Sequence, residues 1–186
     1  MRSQKVAAED VDQKLFSTFS ELGYDGASME ILAKATGLSK ASLYHRFPDG
    51  KKQMAEHVLT NAAEFLQENL VKTATDRSIK PEIRLQKALG ILDQVYEGGS
   101  LNCLLRTLSV GTDAENFKSY IMKCFDLIAK GFAAIAIDMG IDAKTAKTRS
   151  KDVNLLVQGS LVLSGVTHDR SYFKNTLAKI PGYLTA

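Results

Sequence analysis

The residues whose types and spacing best suit chemistry lie between Ser28 and Lys52, in the stretch SMEILAKATGLSKASLYHRFPDGKK. That chemistry is binding to phosphates and to the edges of bases. Between residues 34 and 52 there is a single acid, Asp49, and there are five cations: Lys34, Lys40, Arg46, Lys51 and Lys52. A local excess of Lys and Arg, interleaved with short polar residues, is the electrostatic footprint of a nucleic-acid site.

Two short helices joined by a tight turn must position these side chains. Ser28 and Ser39 each suit a helix N-cap, because a serine hydroxyl can accept an N–H from the first turn. Gly37 suits the left-handed residue that ends the first helix. A small residue, a turn glycine and a buried aliphatic residue follow one another as Ala33, Gly37 and Leu43. This order predicts a helix-turn-helix, whose second helix enters the DNA major groove.

The second short helix is predicted to have one buried side and one exposed side. Its apolar side carries three residues: Leu43, Tyr44 and Phe47. Its exposed positions are short or cationic: Lys40, Ala41, Ser42, His45 and Arg46. Side chains of these types can meet base edges and phosphates.

The helix that follows begins with Lys51 and Lys52. Cations at a helix N-terminus oppose the macrodipole, at a cost of about 0.3–1 kcal/mol each. Lysines beside free backbone N–H groups form a seat for phosphate instead. We therefore expect phosphate contact from this pair, and a merely solvated helix end is the alternative.

Residues 23–54, GYDGASMEILAKATGLSKASLYHRFPDGKKQM, resemble the DNA-binding domain of TetR-family transcriptional regulators. The agreement includes the GYDGAS lead-in, the GLSK turn and the LYHRF end of the second short helix. The FPDGK entry to the next helix is similar to the LmrA/YxaF-like branch. The resemblance implies an all-α homodimer with an N-terminal three-helix helix-turn-helix domain and a C-terminal helical domain for ligand binding and dimerisation.

The resemblance also implies roles for individual residues. It implies base contacts from Lys40, Ala41 and Tyr44, and phosphate contacts from Ser28, Ser42, His45 and Lys52. It implies a DNA-binding domain over residues 1–52 and an effector-binding and dimerisation domain over residues 53–186, linked by the helix from Lys51. The implied partners are a palindromic double-stranded operator, a small-molecule effector and a second copy of the chain. The implied function is repression relieved by a small, largely apolar ligand.

The composition sets broader limits. The chain has 186 residues, 45% of them hydrophobic, and a net charge of only +3, so DNA contact must come from a local patch. Cys103 and Cys124 form no CxxC pair, and the N-terminus has no apolar signal segment. We therefore expect a cytoplasmic protein with free thiols and no membrane span. Arg2 and Lys5 could reach a minor groove as an arm, although a solvated tail is favoured.

The sequence shows no recognisable enzymatic motif. His45, His57 and His168 form no HExxH pair, and no glycine-rich phosphate loop is present. Ser160 lies in GSLVLSG, which is not a GxSxG elbow. We expect no enzyme, no metal and no cofactor. An α-helical enzyme that uses a pocket in the second half, and a helical adaptor that binds protein, are the alternatives.

The second half suggests a pocket and an interface. A cavity between apolar helices is a natural site for a small ligand. The candidate lining residues are apolar and lie at helical spacing: Leu104, Leu108, Phe125, Ile128 and Phe132. Ordinary core packing is the alternative for each of them. Residues 159–165, GSLVLSG, are small and aliphatic, as in a subunit interface, and burial within one chain is the alternative there.

Three helix limits are predicted from local signals. Gly23 ends the first helix, whose buried stripe is expected to include Leu22. A capping box, Thr112 to Glu115, opens the long helix of the second half. Pro181 ends the last helix.

Overall fold

The structure, a computed structural model, describes residues 7–186, which form helices and connecting turns. Arg2 and Lys5 lie outside the described residues. A π-helical turn, Leu66–Val71, joins α4 to α5, and a 3₁₀ turn, Glu97–Gly99, follows α6. The helices in chain order are α1 Ala8–Gly26, α2 Met29–Thr36, α3 Lys40–Arg46, α4 Lys51–Phe65, α5 Lys72–Thr75, α6 Pro81–Val95, α7 Leu104–Leu108, α8 Ala114–Asp138, α9 Ala143–Thr167 and α10 Ser171–Thr185. The predicted all-α fold class is confirmed.

The chain packs as two compact units. Among the described residues, the first contains residues 7–61 together with Leu104–Ile121, and the second contains Ala62–Cys103 together with Met122–Ala186. This grouping by packing differs from the division at residue 52, because α7 and the start of α8 belong to the first unit. The division by function, into residues 1–52 and 53–186, stays a prediction.

The first unit is built on α1. Val11, Leu15 and Phe19 are fully buried at helical spacing, as predicted. Helix α7 packs on α1, and the hydroxyl of Thr107 donates to the carbonyl of Phe19 at 3.0 Å. Leu108 is also fully buried. The segment from Leu104 therefore completes the core of the first unit, which the sequence did not indicate.

The end of α1 differs from the prediction at Leu22, which is 40% exposed. Gly23 adopts φ 67°, ψ −172°, so the helix kinks there before it ends at Gly26. A Cβ at Gly23 would lie 3.1 Å from the carbonyl oxygen of Thr107. The kink brings the backbone of α1 close to α7, and beyond Phe19 the buried residues of α1 are Ser20 and Tyr24 instead of Leu22.

The predicted capping box before α8 is wrong. The helix begins at Ala114, and Thr112 bonds to α1 instead. The N–H and hydroxyl of Thr112 donate to the carboxylate of Asp25 at 3.0 and 2.5 Å. These bonds hold the pKa of Asp25 below its ordinary value of 3.8, because they favour the ionised form.

The second unit contains a buried arginine that the sequence analysis did not single out. Arg84, on α6, is 2% exposed. Its Nη1 donates to the carbonyl of Ala74 at 2.6 Å and to Asp138 at 2.9 Å. Arg77 also pairs with Asp138 at 3.2 Å. These contacts tie the ends of α5 and α8 to α6.

The prediction that Pro181 ends the last helix is also wrong, since α10 continues through it to Thr185. Tertiary contacts hold the last turn in place. Leu184 is fully buried, and its carbonyl accepts from Arg149 at 3.3 Å. The hydroxyl of Tyr183 donates to Asp152 at 2.5 Å. Together these contacts offset the helical hydrogen bond that proline cannot make.

Candidate nucleic-acid interface

The helix-turn-helix has the predicted local geometry. The hydroxyl of Ser28 accepts from the N–H of Ile31 at 3.2 Å and caps α2. Gly37 ends α2 in the left-handed conformation, with φ 70°. The hydroxyl of Ser39 accepts from the N–H of Ser42 at 3.0 Å and caps α3. A three-residue turn therefore joins α2 to α3.

Buried residues anchor the two helices from beneath. Leu32 and Leu43 are fully buried, and Phe47 is 4% exposed. The hydroxyl of Thr36, buried at the end of α2, donates to the carbonyl of Leu32 at 2.7 Å. Since α3 has only seven residues, its orientation depends on these contacts more than on its own helical propensity.

The opposite side of α3 is accessible. Lys40, Ala41, Ser42 and His45 are exposed, as predicted. Tyr44 is 49% exposed, so it is not the buried residue that the apolar pattern indicated. Its Cε1 atom lies 3.1 Å from the position that a Cβ would take at Gly50, where φ is 66°. The ring therefore lies against the backbone before α4 and keeps one edge free.

Lys40 has a charged neighbour beside this face, Glu30. Its Nζ lies 3.8 Å from the carboxylate of Glu30, and both side chains are largely exposed. An exposed pair of this kind contributes about 0–1 kcal/mol. Glu30 is therefore a weak partner that phosphate or a base edge could replace.

The two lysines at the start of α4 have different surroundings. Lys51 is half-buried: its Nζ donates to the carbonyl of Tyr24 at 2.8 Å and lies 4.1 Å from the centre of that ring. Burial, with a hydrogen bond to Asp113, raises the pKa of Tyr24 to about 12, so the ring stays neutral. Lys52 is exposed. The cation at position 51 thus has a structural explanation within the first unit.

Arg46 differs from its predicted exposure. It is half-buried, and its Nη2 lies 3.3 Å from the carboxylate of Asp12 on α1. Asp12 also contacts His57 and Asn61 of α4. The sequence analysis did not single out Asp12, and only its position on the half-buried side of α1 could have indicated this cluster.

The predicted pocket residues divide between the two units. Leu104 and Leu108 belong to the first unit and Ile128 and Phe132 to the second, and all four are buried. A groove of about 280 Å³ lies between α8 and α9 within the second unit. Of the predicted lining residues, Phe125 borders it. Its walls are Met122, Phe125, Asp126, Ala129, Lys151, Asn154, Leu155 and Gln158.

An exposed apolar stripe follows one side of α9. Leu155 is 70% exposed and Val166 75% exposed, while Val162 and Leu163 are roughly half exposed. Gly159 lies between them on the same side, and Ser160, Leu161 and Ser164 are buried on the other. The segment 159–165 therefore has both a packed side and an uncovered one.

The two cysteines, Cys103 and Cys124, are buried and form no disulfide bond. Burial raises the pKa of the Cys124 thiol to about 11, which disfavours the reactive thiolate. In the part of the chain that the structure describes, no three His, Cys, Asp or Glu side chains are grouped to hold a metal ion. Among residues 7–186, no helix has the length and apolar character needed to cross a membrane.

Comparisons with known proteins agree with this geometry. The family model of bacterial regulatory proteins of the tetR family matches residues 16–58. The HTH-type transcriptional regulator YxaF of Bacillus subtilis is 24% identical over 180 residues, 92% of this chain and 94% of YxaF. LmrA of the same organism is 23% identical over 164 residues, covering 83% of this chain and 86% of LmrA. The regulator IcaR of Staphylococcus aureus is 37% identical over 60 residues, about a third of each chain.

Solved structures show the same fold. A TetR transcriptional regulator from Legionella pneumophila has a TM-score of 0.78 at 20% identity and covers 98% of both chains. The regulatory protein TetR from Rhodobacter sphaeroides has a TM-score of 0.80 at 14% identity, covering 96% of this chain and 99% of its own. These matches identify residues 16–58 as a helix-turn-helix domain of the tetR family, and over most of its length the chain is similar to TetR-family transcriptional regulators in sequence and in fold.

Proposed function

We propose that the protein is a repressor that binds a palindromic operator as a homodimer and releases it when a small, largely apolar ligand binds. It would act in the cytoplasm, without enzymatic activity. The observation that carries this proposal is the accessible side of α3, which presents Lys40, Ala41, Ser42 and His45 above a fully buried Leu43. A short helix held from beneath, with small and cationic residues outward, suits the major groove. IcaR is named as a negative regulator, which supports repression here.

We assign the contacts within this site by chemistry and exposure. Lys40, Ala41 and Tyr44 would meet bases, and the exposed Ser28, Ser42, His45 and Lys52 would meet phosphates. Lys51 was expected to contact phosphate as well. Since its Nζ donates to the carbonyl of Tyr24, we propose that Lys51 fixes the start of α4 and leaves the phosphate to Lys52.

The apolar stripe on α9 supports the homodimer. Leu155 and Val166 lie about three turns apart on one side and are more than two-thirds exposed. Leaving such a row in water is unfavourable, and a second copy would cover it. Two recognition helices about 34 Å apart would then read one side of a palindrome. Val162→Glu should convert a sedimenting dimer to monomer, whereas Val110→Glu, an exposed apolar control elsewhere, should not.

For the ligand, we propose the second unit. The groove between α8 and α9 has four apolar wall residues, and Phe125 is the predicted lining residue that borders it. Leu104, Leu108, Ile128 and Phe132 stay predictions. A ligand can release the operator only if it binds the DNA-incompetent state more tightly than the competent one. Helix α8 and the continuous stretch from α4 to α5 each contain residues of both units, so either could transmit the change.

The test of the main proposal is selection of bound duplexes from a random pool at stated salt concentrations. We expect an enriched palindrome with half-sites about one helical turn apart. Binding without any sequence preference would contradict specific reading of DNA. A protein that binds no duplex and still captures a protein partner would favour the helical-adaptor alternative.

A further inference from the structure

A single carboxylate, that of Asp12, joins three helices of the first unit: α1, α3 and α4. Asp12 lies on α1, and its Oδ1 atom is 3.3 Å from Nη2 of Arg46, the last residue of α3. The same oxygen is 3.0 Å from Nε2 of His57, and Oδ2 is 3.3 Å from Nδ2 of Asn61, both on α4. Arg46 and Asn61 donate to this carboxylate, and His57 donates to it in the tautomer that carries the hydrogen on Nε2.

Arg46 is held on α1 by more than this pair. Its Nη2 also lies 3.5 Å from the carbonyl of Ala8, and its guanidinium is 5.5 Å from the centre of the Phe47 ring. The ring of Phe47 in turn lies 5.3 Å from that of His57. The guanidinium is thus engaged by two acceptors on α1 and one aromatic ring, within the folded chain.

The recognition helix needs such a contact at its C-terminal end. Helix α3 has seven residues, too few to be stable in isolation. Its N-terminal end is fixed by the Ser39 cap and its middle by the buried Leu43. At the other end, the buried Phe47 packs beneath the helix and Arg46 adds the contact with α1. The carboxylate also holds His57 and Asn61, so it sets the angle between α3 and α4 as well.

We propose that Asp12 is a positioning residue for DNA reading, and that Arg46 acts through Asp12 instead of neutralising a phosphate. This rests on the proposed function, in which α3 enters the major groove. The proposal reverses the usual expectation for a cation on a recognition helix. It also assigns a positive role in DNA binding to an acidic residue of α1.

The experiment compares four variants of the full chain: Asp12→Asn, Arg46→Ala, the two combined, and Asp10→Asn as control. Asp10 is an exposed acid on the same helix, so the control makes the same change in net charge. Each variant is titrated by fluorescence anisotropy against the selected operator duplex and against a mixed-sequence duplex, at several salt concentrations. Stoichiometric titration gives the active fraction, so that unfolded protein is not counted as lost affinity.

The direction in which operator affinity changes distinguishes a positioning role of Asp12 from a general effect of its negative charge. Asp10→Asn removes a negative charge and should leave affinity unchanged or slightly increase it. Asp12→Asn makes the same charge change, and we expect it to weaken operator binding by about two- to fivefold, the scale of a partly exposed ion pair. Arg46→Ala should cause a similar loss of affinity. The double variant should bind the operator no less tightly than whichever single variant has the lower affinity.

The salt dependence gives the second readout. Each phosphate contact contributes about 0.9 to the slope of log K against log salt. Arg46→Ala should leave that slope unchanged, because no phosphate contact is lost. A decrease of about 0.9 for Arg46→Ala, or losses that multiply in the double variant, would overturn the proposal while leaving the proposed function intact. Failure of the wild-type chain to bind either duplex would overturn both.

Discussion

Replacing Lys51 by alanine and replacing Lys52 by alanine should affect different properties of the protein, although the two residues are adjacent. The Nζ of Lys51 donates to the carbonyl of Tyr24 at 2.8 Å and lies 4.1 Å from its ring centre. Lys52 is exposed at the same helix start. We expect Lys51→Ala to lower stability and Lys52→Ala to lower the affinity for DNA.

The loss of stability expected for Lys51→Ala follows from the two contacts that the Lys51 ammonium makes. A hydrogen bond from a charged donor contributes about 1.5–3 kcal/mol, and a cation–π contact at an exposed site about 0.5–1 kcal/mol. Because Lys51 is half-buried and the contacts share one ammonium, a total of about 1–3 kcal/mol is expected. For a chain of this length each kcal/mol shifts Tm by about 2–4 °C, so Lys51→Ala should lower Tm by roughly 2–12 °C.

Lys52→Ala removes a cation that opposes the helix macrodipole. Its Tm should stay the same or rise, since that opposition costs about 0.3–1 kcal/mol. Its affinity should fall for all sequences alike, and the salt slope should decrease by about 0.9, the value for one phosphate contact.

Thermal unfolding followed by circular dichroism, and anisotropy titrations at several salt concentrations, measure both effects. The reasoning would be refuted if Lys51→Ala kept the wild-type Tm and decreased the salt slope, since Lys51 would then leave Tyr24 for a phosphate. It would also fail if Lys52→Ala changed the preference among sequences, because a phosphate contact carries no base information.

Two further predictions concern stability. Hydrogen bonding to Arg84 holds the pKa of Asp138 below 3.8, so its contribution to stability is present above that pH and lost as pH falls through the folded-state pKa. Asp138→Asn should therefore destabilise the chain at pH 7, with a difference from wild type that shrinks at pH 3; urea unfolding that gave equal differences would contradict this. Gly23→Ala should cost about 1–3 kcal/mol, because φ is 67° and the new Cβ would lie 3.1 Å from the carbonyl of Thr107. Gly90→Ala, with open space around its Cβ, should be neutral or stabilising in the same thermal melts.

The helix-turn-helix was predictable because its signals act over a few residues. A serine at the N-cap accepts the N–H of the residue three positions later in almost any surroundings. A glycine in the left-handed conformation likewise ends a helix at its C-terminus in almost any surroundings. Ser28, Gly37 and Ser39 therefore appear in the structure as the sequence predicts. Burial of Leu43 follows from helical spacing, and the family resemblance gave the same assignment from the same residues.

Contacts between residues distant in sequence were not predictable in this way. Arg46 looked like one more cation of the recognition helix, and its partner Asp12 lies 34 positions earlier. Arg84 and Asp138 are 54 positions apart. Leaving either charge unpaired would be costly, but which acid meets which arginine depends on how the helices pack.

The sequence by itself determined the helical fold, the caps and turn of the DNA-reading motif, and the face of α3 that suits DNA, because these depend on local geometry and on hydrophobic spacing. Only the tertiary structure decided that α7 completes the first unit, that α10 passes through Pro181, and that Lys51 and Lys52 have different surroundings. In each case the outcome rests on side chains brought together from separate helices. Local conformational preferences contribute only about 1 kcal/mol, and at these positions packing and charge pairing between helices contribute as much or more and so determine the structure.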